Sequence, residues 1–161
     1  MSLDKGIAKK ILTIGCECNP PKGGIAQVLY NYQMFVYPTF KFVANSGDGG
    51  KIAKVWQLIK AVFDVVAMLR KDGGIQIVHI HTSSYTGFNR SEIFIKIAKA
   101  FGKKVVLHIH GGSFREFYQT SPASISRTLD ACDCIIALSE SWKAFFCKVT
   151  KTKVCIVDNI I

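Results

Sequence analysis

The chain has 161 residues, a length that suits one domain with a real core, at about 100–200 residues per domain. Its 49% hydrophobic and 20% charged residues exclude a disordered chain, and its 13 glycines and 4 prolines exclude collagen-like and low-complexity sequence. The net charge of +10 is spread evenly, with no basic tail and no nucleic-acid arm; it favours anionic partners such as phosphates, nucleotides or an acidic lipid surface, or is simply a solvated basic face.

Short apolar runs alternate with longer periodic ones. Lys10 to Gly15 reads as a first strand, and Gly23 to Phe35 as a helix with Ile25, Val28, Leu29 and Tyr32 on one stripe. Phe40 to Ala44 is a second strand. Lys51 to Lys71 is a long helix closed by Asp72-Gly73-Gly74. A third strand runs from Gln76 to His81, a helix from Ser91 to Phe101, and a fourth strand from Lys104 to His110. Pro122 to Ala131 forms a helix with Ser121 as its cap, Cys134 to Leu138 a fifth strand, Ser139 caps a helix to Lys148, and Lys153 to Val157 is a sixth strand. Strands alternating with helices predict a doubly wound α/β domain with a mostly parallel sheet and helices on both faces. Runs such as Val105-Val106-Leu107 and Cys134 to Leu138 fit strands buried on both sides.

Two features stand apart from this pattern. The Lys51–Lys71 helix is apolar over a wide arc, including Trp56, Ile59 and Phe63, with Lys51, Lys54 and Lys60 on a narrow polar stripe. It is expected to pack on the sheet with one wet edge; the sharper alternative is a helix lying on a membrane or a partner. The six cysteines include two C-x-C pairs, Cys16/Cys18 and Cys132/Cys134, a spacing that matches neither zinc ribbons nor redox motifs. Cys134 and Cys155 read as small core residues. No stretch reaches about 18 uncharged apolar residues, and the first residues carry no secretory-signal pattern. The expectation is therefore a cytoplasmic protein with reduced thiols.

Ligands of open parallel sheets bind beyond the carboxyl ends of the strands. After the first strand, Pro20-Pro21-Lys22-Gly23-Gly24 leads into a helix, a cradle for a phosphate or sugar. It is neither a GxGxxG dinucleotide fingerprint nor a P-loop. After the third strand come His81, Ser83 and Ser84; after the fourth come His110, Gly111 and Gly112. His79 and His108 fall inside strands, whereas His81 and His110 fall at the ligand edge. No carboxylate lies close in sequence to complete a metal site, so hydrogen bonding to a polar ligand is the better reading. No nucleophile elbow appears.

These segments resemble the N-terminal half of GT-B glycosyltransferases of family 4. The resemblance is carried by Pro21-Lys22-Gly23-Gly24-Ile25, by Ile77 to His81, by Val105 to Phe114 with its histidine-glycine pair, by Ala131 to Glu140, and by Val154 to Ile161, where Asp158-Asn159 stands in place of the usual Pro-Asn. It implies two Rossmann-like domains with the active site in the cleft between them. Residues 4–161 would be the acceptor-side domain, with the donor-binding C-terminal domain absent from this chain, which would be inactive alone. The activity implied is transfer of a sugar, with retention, from a nucleotide-sugar donor to a saccharide or lipid-linked acceptor in bacterial polysaccharide or glycolipid assembly. No cofactor and no obligatory metal are implied; the nucleotide-sugar is a co-substrate. By the same resemblance His110 would be catalytic, beside the reacting carbon of the donor sugar. Gly23, Gly24, Ser83, Ser84, Gly111 and Gly112 would contact donor or acceptor. Peripheral contact with the inner face of the cytoplasmic membrane stays open. The alternatives are a non-catalytic subunit of a split glycosyltransferase that docks a separate donor-binding chain, and an unrelated nucleotide-binding Rossmann protein, against which the missing GxGxxG argues.

Overall fold

The computed structural model of the chain describes residues 2–157. In chain order the elements are α1 (Lys5–Ala8), β1 (Ile11–Cys16), α2 (Gly24–Asn31), a π-helical turn (Tyr32–Val36), β2 (Lys41–Ser46), α3 (Lys51–Lys71), β3 (Ile77–Thr82), α4 (Thr86–Ala100), β4 (Lys104–Ile109), α5 (Phe114–Thr120), α6 (Pro122–Asp130), β5 (Cys134–Ala137), α7 (Glu140–Val149) and β6 (Val154–Ile156). The strands form one parallel sheet in the order β2-β1-β3-β4-β5-β6, the doubly wound α/β fold that the alternation predicts. The chain divides into two compact units, and the division falls inside β3, between His79 and Ile80.

In the first unit, β1 buries Ile11, Leu12, Thr13 and Ile14, as a strand covered on both faces must. It pairs with β2 from Leu12↔Lys41 to Gly15↔Ala44, and a register shift after Gly15 then sets Cys16 opposite Ser46. Such irregularities re-aim the ends of strands, and this one lies at the carboxyl ends, where ligands bind. The helix expected from Gly23 to Phe35 stops being α-helical at Asn31 and continues as the π-helical turn. There the Tyr37 N–H reaches the Tyr32 carbonyl at 2.8 Å. The wider turn keeps Tyr32 buried and leaves Met34 and Phe35 exposed.

Helix α3 has the predicted bounds, but its packing differs from the expectation of one wet edge. Its buried residues are Ala61, Val65 and Leu69, none of them in its first ten residues. The reason is length. Twenty-one residues span about 31 Å of helix, whereas a six-residue strand spans about 20 Å, so the sheet is too short to cover the helix.

The second unit is closed by aromatic rings. Phe88, Phe94, Phe114 and Phe146 are fully buried. Phe114 meets Phe88 at 5.4 Å and Phe146 at 5.2 Å, both edge-on. Each such ring contributes roughly 1.5–3 kcal/mol of burial. Asp133, just ahead of β5, accepts hydrogen bonds from Lys99, Lys104 and the Val105 N–H, each at 2.9 Å. Burial pushes its carboxyl upward, but those three donors outweigh it and hold the pKa at about 2.

Several expectations are corrected here. Helix α4 begins at Thr86, not Ser91, and α5 occupies a stretch to which the sequence reading assigns no element. Ser121 makes no side-chain cap on α6, although Pro122 does open that helix. Cys134 and Cys155 are half-buried rather than core residues, their sulfurs 3.8 Å apart, and no disulfide joins any of the six cysteines. Asp158 and Asn159 lie outside the described residues.

Candidate functional site

The first candidate region lies at the carboxyl ends of β1 and β2. A cavity of about 220 Å³ is lined by Cys16, Glu17, Pro20 and Lys22 on one side and Ser46, Gly47 and Asp48 on the other. Gln57 of α3 fixes the far wall: its Oε1 accepts the Gly47 N–H at 2.9 Å, and its Nε2 donates to the Asp48 carbonyl at 3.0 Å. The Lys22 ammonium is hydrogen-bonded to the Asp48 carboxylate, and that bond holds its pKa above the usual lysine value. Two carboxylates and one ammonium around a small cavity suit a hydroxyl-rich ligand better than a bare phosphate. Gly23 precedes α2 with φ +97°, a backbone that side-chain-bearing residues rarely adopt, and no side chain caps this helix start. The first N–H groups of α2 therefore stay available to an anion or hydroxyl. A Cβ on Gly24 would meet nothing within 4 Å.

The second region lies where β3 and β4 end. The His110 N–H donates to the Thr82 carbonyl at 2.8 Å, which carries the pairing one residue past β4. Ser83-Ser84-Tyr85 then turns into α4. Tyr85 sits at φ +53° and ψ −121°, a strained backbone for a residue with a side chain. Its ring lies against Phe117, 5.1 Å between centroids. Gly111 presses on this turn: a Cβ there would lie 2.3 Å from Ser84 Oγ and 2.8 Å from the Ser84 backbone nitrogen. Gly112 is exposed, and a Cβ on it would touch nothing.

His110 is half-buried between two other imidazoles. Its Nε2 is 3.0 Å from Nδ1 of the buried His81, and their rings are inclined by only 17°. His108 stacks on it at 4.1 Å. Burial drives the His110 pKa down to about 4, so the ring is neutral at pH 7. One proton occupies the His81–His110 bond. When His110 accepts there, its Nδ1 carries the other proton and is a donor; when it donates, Nδ1 is an acceptor.

The structure thus brings together Ser83, Ser84, His110 and Gly111, with Gly112 on the open side. His81, expected at the ligand edge, is instead buried against His110. Sequence reasoning missed the wall from Ser46 to Asp48, because the register shift that opens it follows no residue signal. It also missed Arg115, which donates to Ser141 Oγ at 2.9 Å and lies over the Trp142 ring at 5.2 Å, tying the start of α5 to α7. Ser139 caps α7 as expected, accepting from the Trp142 N–H at 3.3 Å.

The family model for Glycosyltransferase Family 4 matches residues 25–161, most of the chain. The chain belongs to glycosyltransferase family 4. The matched region contains the whole His110 cluster and begins one residue after Gly24. A search of curated proteins finds no match to this family 4 chain.

Proposed function

We propose that this family 4 domain is the acceptor-side half of an enzyme that transfers a sugar, with retention, from a nucleotide-sugar to a saccharide or lipid-linked acceptor. In this reading the domain spans residues 4–161 and works with a second, donor-binding domain, without which it is inactive. No obligatory metal is needed in this reading. The observation that carries the reading is the neutral His110, hydrogen-bonded to His81 through Nε2, with the open Gly112 two residues on. Positive charge develops at the reacting carbon during glycosyl transfer. A neutral imidazole offers a hydrogen bond beside that carbon without adding a repelling charge, and the His81 bond presets its orientation. Ser83 and Ser84 supply hydroxyls on the same edge. In the first unit the cavity lined by Glu17, Lys22 and Asp48 offers polar contacts of mixed sign.

The test is sugar transfer from a panel of nucleotide-sugars by the protein as its coding DNA encodes it. His110→Ala is expected to lower turnover about 10²–10³-fold, the cost of removing one preorganised transition-state contact. The melting temperature should stay high enough for the fold to persist at assay temperature. Unchanged turnover in a folded variant defeats the proposal.

A further inference from the structure

The outward face of α3 has no partner among the described residues. Ile52 is 77% exposed, Trp56 66% and Phe63 71%, and Val55 and Ile59 are exposed beside them. At 100° per residue these five fall within an arc of about 100°, opposite the buried Ala61. Singly exposed apolar residues are ordinary; five on one continuous stripe mark an interaction surface. The charges around the stripe say what it meets. Helix α3 carries Lys51, Lys54, Lys60, Arg70 and Lys71 against a single acid, Asp64, which is paired with Lys60 at 2.6 Å. At the same 100° per residue Lys54 points to the side of Ala61, whereas Lys51 and Lys60 lie about 40° outside either edge of the stripe and Arg70 falls within it. A second copy docked face to face would set these lysines against their own kind. An anionic lipid surface does the reverse: it neutralises the lysines while Trp and Phe side chains settle at the boundary between headgroups and acyl chains. No described helix is long and apolar enough to cross a membrane, so the contact would be in the plane of the surface.

We propose that α3 is the membrane-docking element of this chain, with Ile52, Trp56, Ile59 and Phe63 entering the interface of an anionic bilayer and Lys51, Lys60 and Arg70 meeting lipid phosphates. The inference does not depend on the catalytic reading, and its test involves no sugar transfer. Trp142→Phe leaves Trp56 as the single tryptophan. The emission of Trp56 is then followed, together with sedimentation, using vesicles of phosphatidylcholine alone and of phosphatidylcholine mixed with phosphatidylglycerol. A blue shift and binding at least about tenfold tighter to the mixed vesicles, weakened by added salt, are expected. Phe63→Ser should weaken binding about tenfold with an unchanged melting curve, because the side chain it removes is exposed. Lys51→Glu with Lys60→Glu should abolish the preference for the anionic vesicles. Three results overturn the proposal. One is no binding to either vesicle at low salt. Another is equal binding to both that charge reversal does not alter. The third is a concentration-dependent dimer that Phe63→Ser dissociates, which would assign the face to a second copy.

Discussion

Gly23-Gly24 and Gly111-Gly112 look alike in the sequence, since each double glycine follows a strand and precedes a helix. The structure gives their first members opposite reasons to be glycine. Gly23 needs a backbone with φ +97° and has free space around it. Gly111 has no such dihedral, but Ser84 occupies the space that a side chain would take. The second members have neither reason. Gly24 and Gly112 face open space and are not held to glycine by the chain itself. A glycine that the fold does not require is one whose bare backbone is available to a ligand. The difference separates the parts of the two motifs that build the protein from the parts that serve the proposed site.

Four measurements break or sharpen that contrast. Gly111→Ala should have the largest effect on stability, about 2–3 kcal/mol, because the Ser84 backbone has to move; urea denaturation measures it, and a loss below about 0.5 kcal/mol, the range of ordinary surface changes, would show that the turn yields easily. His110 comes next. Its folded pKa of about 4 lies below the ordinary 6.5. The unfolded chain therefore binds the proton first, and stability should fall as the pH drops from about 6.5 to about 4, by about 1–2 kcal/mol after solvent screening. His110→Gln should flatten that part of the pH profile. Gly24→Ala and Gly112→Ala should leave melting unchanged or slightly raised, yet reduce transfer about tenfold, equivalent to about 1.4 kcal/mol. If transfer is untouched, the open faces serve no ligand. Gly23→Ala should cost at least about 1 kcal/mol through its dihedral alone, since φ +97° with ψ 169° is open to little besides glycine, readable as a drop in melting temperature.

Much of the fold was legible because its signals are local. All six strands were readable as apolar runs, and α3 ran from Lys51 to Lys71 as its periodicity predicts. Lost were the features set by neighbours distant in sequence. Ser121 looks like a cap, but its side chain accepts no N–H of α6. Phe114 to Thr120 lacks a long periodic stripe, and forms a helix because Phe114 and Phe117 pack beside Phe88. At the candidate site, His110 and its two glycines announced themselves by type and by position at a strand end. That His81 would be the partner of His110 was not readable, since it depends on how two strand ends meet. The apolar arc of α3 was visible in the sequence. Which part of it the sheet covers was not, because that depends on the length of β2 relative to the helix.

The contact between Gly111 and Ser84 bears on how this sequence can drift. Every single-base missense change in a glycine codon adds at least a Cβ, and at Gly111 that atom meets backbone 2.8 Å away. Ser84 cannot make room by becoming smaller, because the nearest obstacle after its hydroxyl is its own main-chain nitrogen, which every replacement keeps. No compensating change at position 84 therefore reopens position 111. Among homologues, the histidine-glycine step should stay fixed even where acceptor specificity diverges, and variation should gather one residue later, at Gly112, where an added side chain disturbs only what binds.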